Sequence, residues 1–192
     1  MKSWNKLDDK TLFTIENVKA GLNAPGEWYL ESTGYLYYVP KQGESVTNTK
    51  CYAPLQDKFL LIRGSQDKKV QNLHFENISF RVAGYKMPPN GNEPMQAAAS
   101  IEAAVMIDYA TNIQFINCEI AHTGSNAIWF RKACSYSKIE HCYIHDLGAG
   151  AVKIGEIKPT EGIENTSNNA YRSFLDFHHG KESDRKLNDK RY

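Results

Sequence analysis

Part of this chain repeats itself at a spacing of 24 residues, and that spacing constrains the fold more than any other feature. Cys118, Ile120, Gly124 and Ala127 recur as Cys142, Ile144, Gly148 and Ala151. An earlier copy, Asn72 to Phe80, superposes on Asn112 to Ile120 at a spacing of 40. The 16 residues by which 40 exceeds 24 fall in 85–100, where Pro88, Pro89, Gly91 and Pro94 mark an inserted loop. Ala103, Ala104 and Val105 are expected to resume the register 24 residues before Ala127, Ile128 and Trp129.

Within each copy apolar residues alternate, as at Leu73 and Phe75, Ile113 and Phe115, or Cys118 and Ile120, which is the period of a strand. A unit of this length, holding several short strands and a glycine turn, has no room for a crossover helix. It predicts one turn of a right-handed parallel β-helix, an all-β fold of about four coils. Rungs of such a stack lie ~4.8 Å apart, so equivalent residues form ladders. Cys118 over Cys142 becomes an inward ladder of free thiols; the alternative, a redox pair, lacks a basic residue or helix terminus to activate it. Asn77, Asn117 and His141 share one register at the bend between strands, where polar side chains can bond backbone groups.

Before the repeat, Glu27 to Val39 carries two aromatic-rich strand signals around Ser32, Thr33 and Gly34, bounded by Gly26 and Pro40, and predicts a β-hairpin. That hairpin is either a side sheet packed over the coils or an aromatic platform for sugar rings. Phe59 to Ile62 reads as a further strand, with a turn at 64–67. The expected organisation is an N-terminal segment over 1–58, β-helix coils over 59–165 and a tail over 166–192. From Lys181 to Tyr192, 8 of 12 residues are charged and Leu187 is the only aliphatic, a composition that predicts disorder and poor capping of an open sheet edge. The chain is therefore expected to be a piece of a longer β-helix protein.

The charge balance narrows the partners. With 23 Lys+Arg against 22 Asp+Glu, a formal net charge of +1 and no clustered basic face before the tail, nucleic acid is not an expected partner. No run of 18 apolar residues suggests a membrane span, and Met1 to Lys10 has no apolar stretch of a secretory signal. Four Cys without a C-x-x-C pair support neither a zinc site nor thioredoxin-type chemistry.

Several stretches carry a resemblance: Glu16 to Val18, Ala24 to Leu30, Thr33 to Pro40, Gln96 to Ala98, Ala103 to Val105, Asn117 to Gly124 and Gly148 to Glu156. Together they resemble the large bacterial right-handed β-helix proteins of the pectin-lyase-like superfamily, which include glycoside hydrolases of the β-xylosidase, α-L-fucosidase and xylanase type. The likeness spans roughly residues 12–156, and its most specific element is Pro25-Gly26-Glu27-Trp28-Tyr29-Leu30 followed by Leu36-Tyr37-Tyr38-Val39-Pro40. It implies a carbohydrate-active protein, acting on a polysaccharide or oligosaccharide. It also implies relatives that are longer and secreted or periplasmic, with further coils after Ile154-Gly155-Glu156 where catalytic carboxylates are expected; the compartment of this chain stays open.

Glycoside hydrolysis needs two carboxyl groups flanking the bond, ~5–5.5 Å apart for retention and ~6.5–9.5 Å for inversion. Asp146, in the turn after Ile144, is the first candidate, because His122 occupies the equivalent position one rung away. A His beside an Asp can do acid–base work or bind a sugar hydroxyl; a turn-stabilising hydrogen bond is the simpler alternative. Glu156 is the second candidate, while Glu119 and Glu140 are expected to face outward and be solvated. Substrate contacts are assigned to Gln96, Trp129 and Lys153. No metal site and no cofactor are predicted, and a monomer is expected. A polysaccharide lyase, which needs a base and a charge-neutralising cation, is the variant of the hydrolase reading, and a non-catalytic module that binds glycan or serves as a structural spacer is the alternative function.

Overall fold

A computed structural model describes residues 8–13, 15–92 and 99–157, and the chain divides into two compact units, Met1–Tyr52 and Ala53–Tyr192. In the first unit, β1 (Trp28–Leu30) and β2 (Leu36–Tyr38) form an antiparallel hairpin in which Trp28 faces Tyr38 and Leu30 faces Leu36. Glu31 N–H donates to Tyr35 O at 2.9 Å and Gly34 takes a φ of 93°, the left-handed conformation that glycine adopts without steric cost. At the entrance, the Glu27 carboxylate accepts from the Asn23 and Ala24 amides, both at 2.8 Å, which holds it below the usual carboxylate range. Tyr29 and Tyr37 share one face, with Lys19 Nζ 3.9 Å from the Tyr37 ring centre. Trp28, Leu30 and Leu36 are exposed on the other.

The second unit is built from three parallel sheets and belongs to a β-helix-like class. The chain runs through β3 (Leu60–Arg63), β4 (Val70–Glu76) and β5 (Ser79–Ala83), then β6 (Ala103–Asp108), β7 (Ala110–Ile116) and β8 (Glu119–Thr123). It continues with β9 (Asn126–Lys132), β10 (Lys138–Glu140), β11 (Tyr143–Leu147) and β12 (Val152–Ile154). Pairing is β12-β9-β6-β3 in the first sheet, β10-β7-β4 in the second and β11-β8-β5 in the third. Each visit to the three sheets repeats the same order, so residues from successive visits stack in columns.

Three of those columns explain the polar residues of the repeat. Asn72, Asn112 and Tyr136, then Asn77, Asn117 and His141, then Val82, His122 and Asp146 all have positive φ. Asn and Asp are among the side chains that tolerate this conformation best. Asn112 donates to Asn72 at 2.7 Å and Asn117 to Asn77 at 2.6 Å, so in these two columns the bends of the first and second visits are also joined. Val82, β-branched at a φ of 68°, carries strain that its column mates avoid. Cys118 and Cys142 follow the second column and are free thiols. Each donates to the carbonyl two residues back and to one on the neighbouring strand: Cys118 to Ile116 and Phe75, Cys142 to Glu140 and Phe115.

The interior is apolar and is tightest on the middle visit. Val105, Ile107, Ile113, Phe115 and Ile120 have no measurable exposure, whereas Phe75, Phe80, Ile139 and Ile144 on the flanking visits are partly buried. Phe75 stacks on Phe115 at 4.9 Å between ring centres. Asn126, also buried, ties the layers together: its Nδ2 donates to Ile101 O and Glu102 O and its Oδ1 accepts from Gly150 N. A Cβ on Gly148 would lie 2.4 Å from Gly124 O, so this column requires glycine for close backbone approach.

One expected register is corrected. Ala103 pairs with Asn126 and Val105 with Ile128, a spacing of 23, and the spacing becomes 24 only at Asp108 with Lys132, after an irregularity between Ile107 and Asp108. A one-residue slip turns every side chain to the opposite face; the observed register places Val105 and Ile107 in the core with Ile128 and Phe130. The spacing of 40 does hold between β4 and β7 and between β5 and β8.

Candidate functional site

The first of two polar regions lies beside the irregularity between Ile107 and Asp108. The shift pairs Asp108 with Lys132, and the Asp108 carboxylate reaches the adjacent Arg131 of β9. Arg131 Nε donates to Asp108 Oδ1 at 2.8 Å and a terminal nitrogen donates to Oδ2 at 2.6 Å, the fork geometry that fixes a guanidinium in one orientation. The pairing raises the Arg131 pKa. Arg63 at the end of β3, Tyr109 after β6, Lys132 at the end of β9 and Glu156 after β12 join them around a cavity of about 650 Å³ on the outer side of the first sheet. Lys132 Nζ lies 3.3 Å from Glu156. Hydrogen bonding to Tyr109, then to Glu156, holds Lys132 above the ordinary lysine range.

Beside this groove lies a small apolar layer of Ala103, Met106 and Trp129, with Ile157 against it. Trp129 is only 5% exposed; its Nε1 donates to Gly155 O at 2.8 Å and Lys153 Nζ sits 3.5 Å from its ring centre. Lys153 also donates to Ala99 O and Ile101 O, both at 2.7 Å. Burial pushes its pKa down to about 8. Two of the three residues assigned to substrate contact therefore bind each other and the backbone: little Trp129 ring surface is left for a sugar, and the Lys153 ammonium is engaged. Gln96 lies outside the described residues.

The second region is on the outer face of the third sheet. Arg81 of β5 donates to Glu119 of β8 from Nε at 2.7 Å and from a terminal nitrogen at 2.5 Å. Glu119 Oε1 is 3.1 Å from His145 Nε2 of β11, and His145 Nδ1 is 2.9 Å from Asp146 Oδ2. His122 Nδ1 approaches the same Asp146 oxygen at 3.7 Å, and Tyr143 stacks on His145 with ring centres 4.0 Å apart. Arg81, then His145, holds the Glu119 carboxyl down to about 2. Glu119, then Asp146, raises His145.

The structure thus brings His122 and Asp146 together, on the column that the 24-residue spacing predicts. Glu156 belongs instead to the groove on the first sheet, where Lys132 is its partner, so the two candidate carboxylates serve different walls. Glu119 departs from its expected solvated role and is the best-connected side chain of its row. The sign of this is diagonal: Arg81, Ala121 and His145 occupy one column, while Glu119 stands in the column of Ser79 and Tyr143. A long side chain reaches its i, j±2 neighbours across a sheet, and the small Ala121 leaves room for it to do so. Glu140 is paired within its own strand to Lys138. Among the described residues, no group of three or more His, Cys, Asp or Glu side chains is arranged to hold a metal ion.

Compared with known proteins, the chain matches no family model, no curated sequence and no solved structure.

Proposed function

We propose that this chain is a glycan-binding, right-handed parallel β-helix of about four coils, akin to the polysaccharide-degrading β-helix proteins it resembles, and that its ligand lies in the groove outside the first sheet. The observation that carries this reading is the Asp108–Arg131 fork at the wall of the 650 Å³ cavity. It presents a guanidinium held in a fixed direction next to the Lys132–Glu156 pair and Tyr109. Pre-oriented donors and acceptors of this kind match sugar hydroxyls and carboxylates at low ordering cost. Binding is favoured over cleavage because Asp108 is buried and occupied with Arg131, which leaves Glu156 as the accessible carboxylate of the groove among the described residues.

The second reading is hydrolysis centred on Asp146 and His122, which the 3.7 Å approach of His122 to Asp146 favours; Glu156, on the other wall, is not part of that pair. Titration of xylo-oligosaccharides and pectic oligosaccharides by calorimetry separates the readings. Saturable binding that weakens about tenfold in Arg63→Ala or Glu156→Gln, the loss of one charge-assisted hydrogen bond, supports the groove; no binding to either series refutes it. Turnover of aryl glycosides that disappears in Asp146→Asn and persists in Glu156→Gln would establish the second reading instead.

A further inference from the structure

His145 touches a carboxylate with each of its ring nitrogens, Glu119 through Nε2 at 3.1 Å and Asp146 through Nδ1 at 2.9 Å. An ionised carboxylate can only accept hydrogen bonds, and an imidazole that donates from both nitrogens carries two protons and a positive charge. Across the third sheet the charges therefore alternate: Arg81 on β5, Glu119 on β8, His145 and Asp146 on β11. His122 of β8 closes the row by returning to Asp146. β11 pairs with β8 and is the edge strand of this sheet among the described residues, so side-chain links across that pairing bear directly on how firmly it is held.

We propose that His145 is a pH-sensitive clasp that fastens the edge strand β11 to β8 while its ring is an imidazolium and releases it when one proton leaves. A neutral imidazole donates from one nitrogen and presents a lone pair at the other. Loss of the Nε2 proton turns the contact that crosses to Glu119 on β8 from attraction to repulsion. Loss of the Nδ1 proton does so for the Asp146 contact within β11 while removing the ring charge that attracts Glu119, so either loss weakens the link to β8. The groups facing His145 are Glu119, Asp146 and His122, with Arg81 behind Glu119 and Tyr143 stacked on the ring. Arg81 keeps Glu119 ionised, so the clasp has a fixed anionic anchor on β8.

The sign follows from linkage. His145 is raised above its ordinary 6.5, so its stabilising contribution is complete below that value and is lost as pH rises through the folded-state value. Glu119 is lowered from 4.5 to about 2, so its contribution is complete above 4.5 and is lost as pH falls towards 2. The clasp is closed in mildly acidic solution and opens on the alkaline side. This inference stands on the third sheet and is independent of the glycan reading.

The test is a pH titration of the full chain by NMR, following the His122 and His145 ring signals together with amide exchange over Ile144 to Leu147. The expected result is a His145 midpoint above 6.5 that moves down in both Glu119→Gln and Asp146→Asn. After correction for intrinsic exchange chemistry, β11 exchange should accelerate in a step at the His145 midpoint, and the step should vanish in His145→Asn. A His145 midpoint at or below 6.5, or a step that persists in His145→Asn, overturns the proposal.

Discussion

The groove on the first sheet and the charged row on the third use the same side chains, arginine and carboxylate, to different ends. In the groove, one buried carboxylate fixes one arginine, and Lys132, Glu156 and Arg63 remain at the surface of a cavity. In the row, Glu119 and His145 each serve two partners, so the charges satisfy one another. A ligand site needs charges whose directions are fixed but whose bonding capacity is not exhausted, and the groove meets that condition better than the row. The row meets the condition for a fastening between strands.

Changes that break this contrast should differ in size. The largest effect is expected in the core that both regions share: Phe115→Ala should cost about 3–5 kcal/mol by leaving a cavity under two sheets, read as a lower midpoint in urea unfolding that is accompanied by loss of both sites. Asp108→Ala should cost about 3 kcal/mol, the low end for stranding one partner of a buried pair, because Arg131 retains some access to water. That loss should persist in 1 M salt, whereas the smaller destabilisation from Glu119→Gln, whose Arg81 partner is exposed, should shrink there; equal salt sensitivity in the two variants would erase the contrast. Val82→Asn should stabilise by about 1 kcal/mol, by relieving a β-branched residue of a positive φ. An unchanged unfolding midpoint in that variant would show that the strain is absorbed elsewhere.

Much of the fold was legible in the residues themselves, because strand alternation and the spacings of 24 and 40 are local in origin. Leu73 pairs with Ile113 and Ile120 with Ile144 as those spacings predict. The shared register of Asn77, Asn117 and His141 at a bend was legible too, although the two Asn side chains bond each other and not the backbone groups expected. The polar regions were legible only in part. His122 and Asp146 share a column, so counting finds them. Asp108 with Arg131 and Glu119 with His145 do not, and counting along the chain passes over both.

By itself, then, the sequence determined that this is an all-β chain of short stacked strands with an aromatic hairpin before them, and which small and polar residues line the bends. Tertiary structure alone decided which charges meet. The shift between Ile107 and Asp108 changes the spacing from 23 to 24 and pairs Asp108 with Lys132, while its carboxylate bonds the neighbouring Arg131. The sideways reach of Glu119 past Ala121 joins three strands into one row. The physical reason is one of range: backbone preference and side-chain alternation act over a few residues, while an ion pair depends on register between strands and on the diagonal reach of side chains, both of which exist only once the sheets have formed.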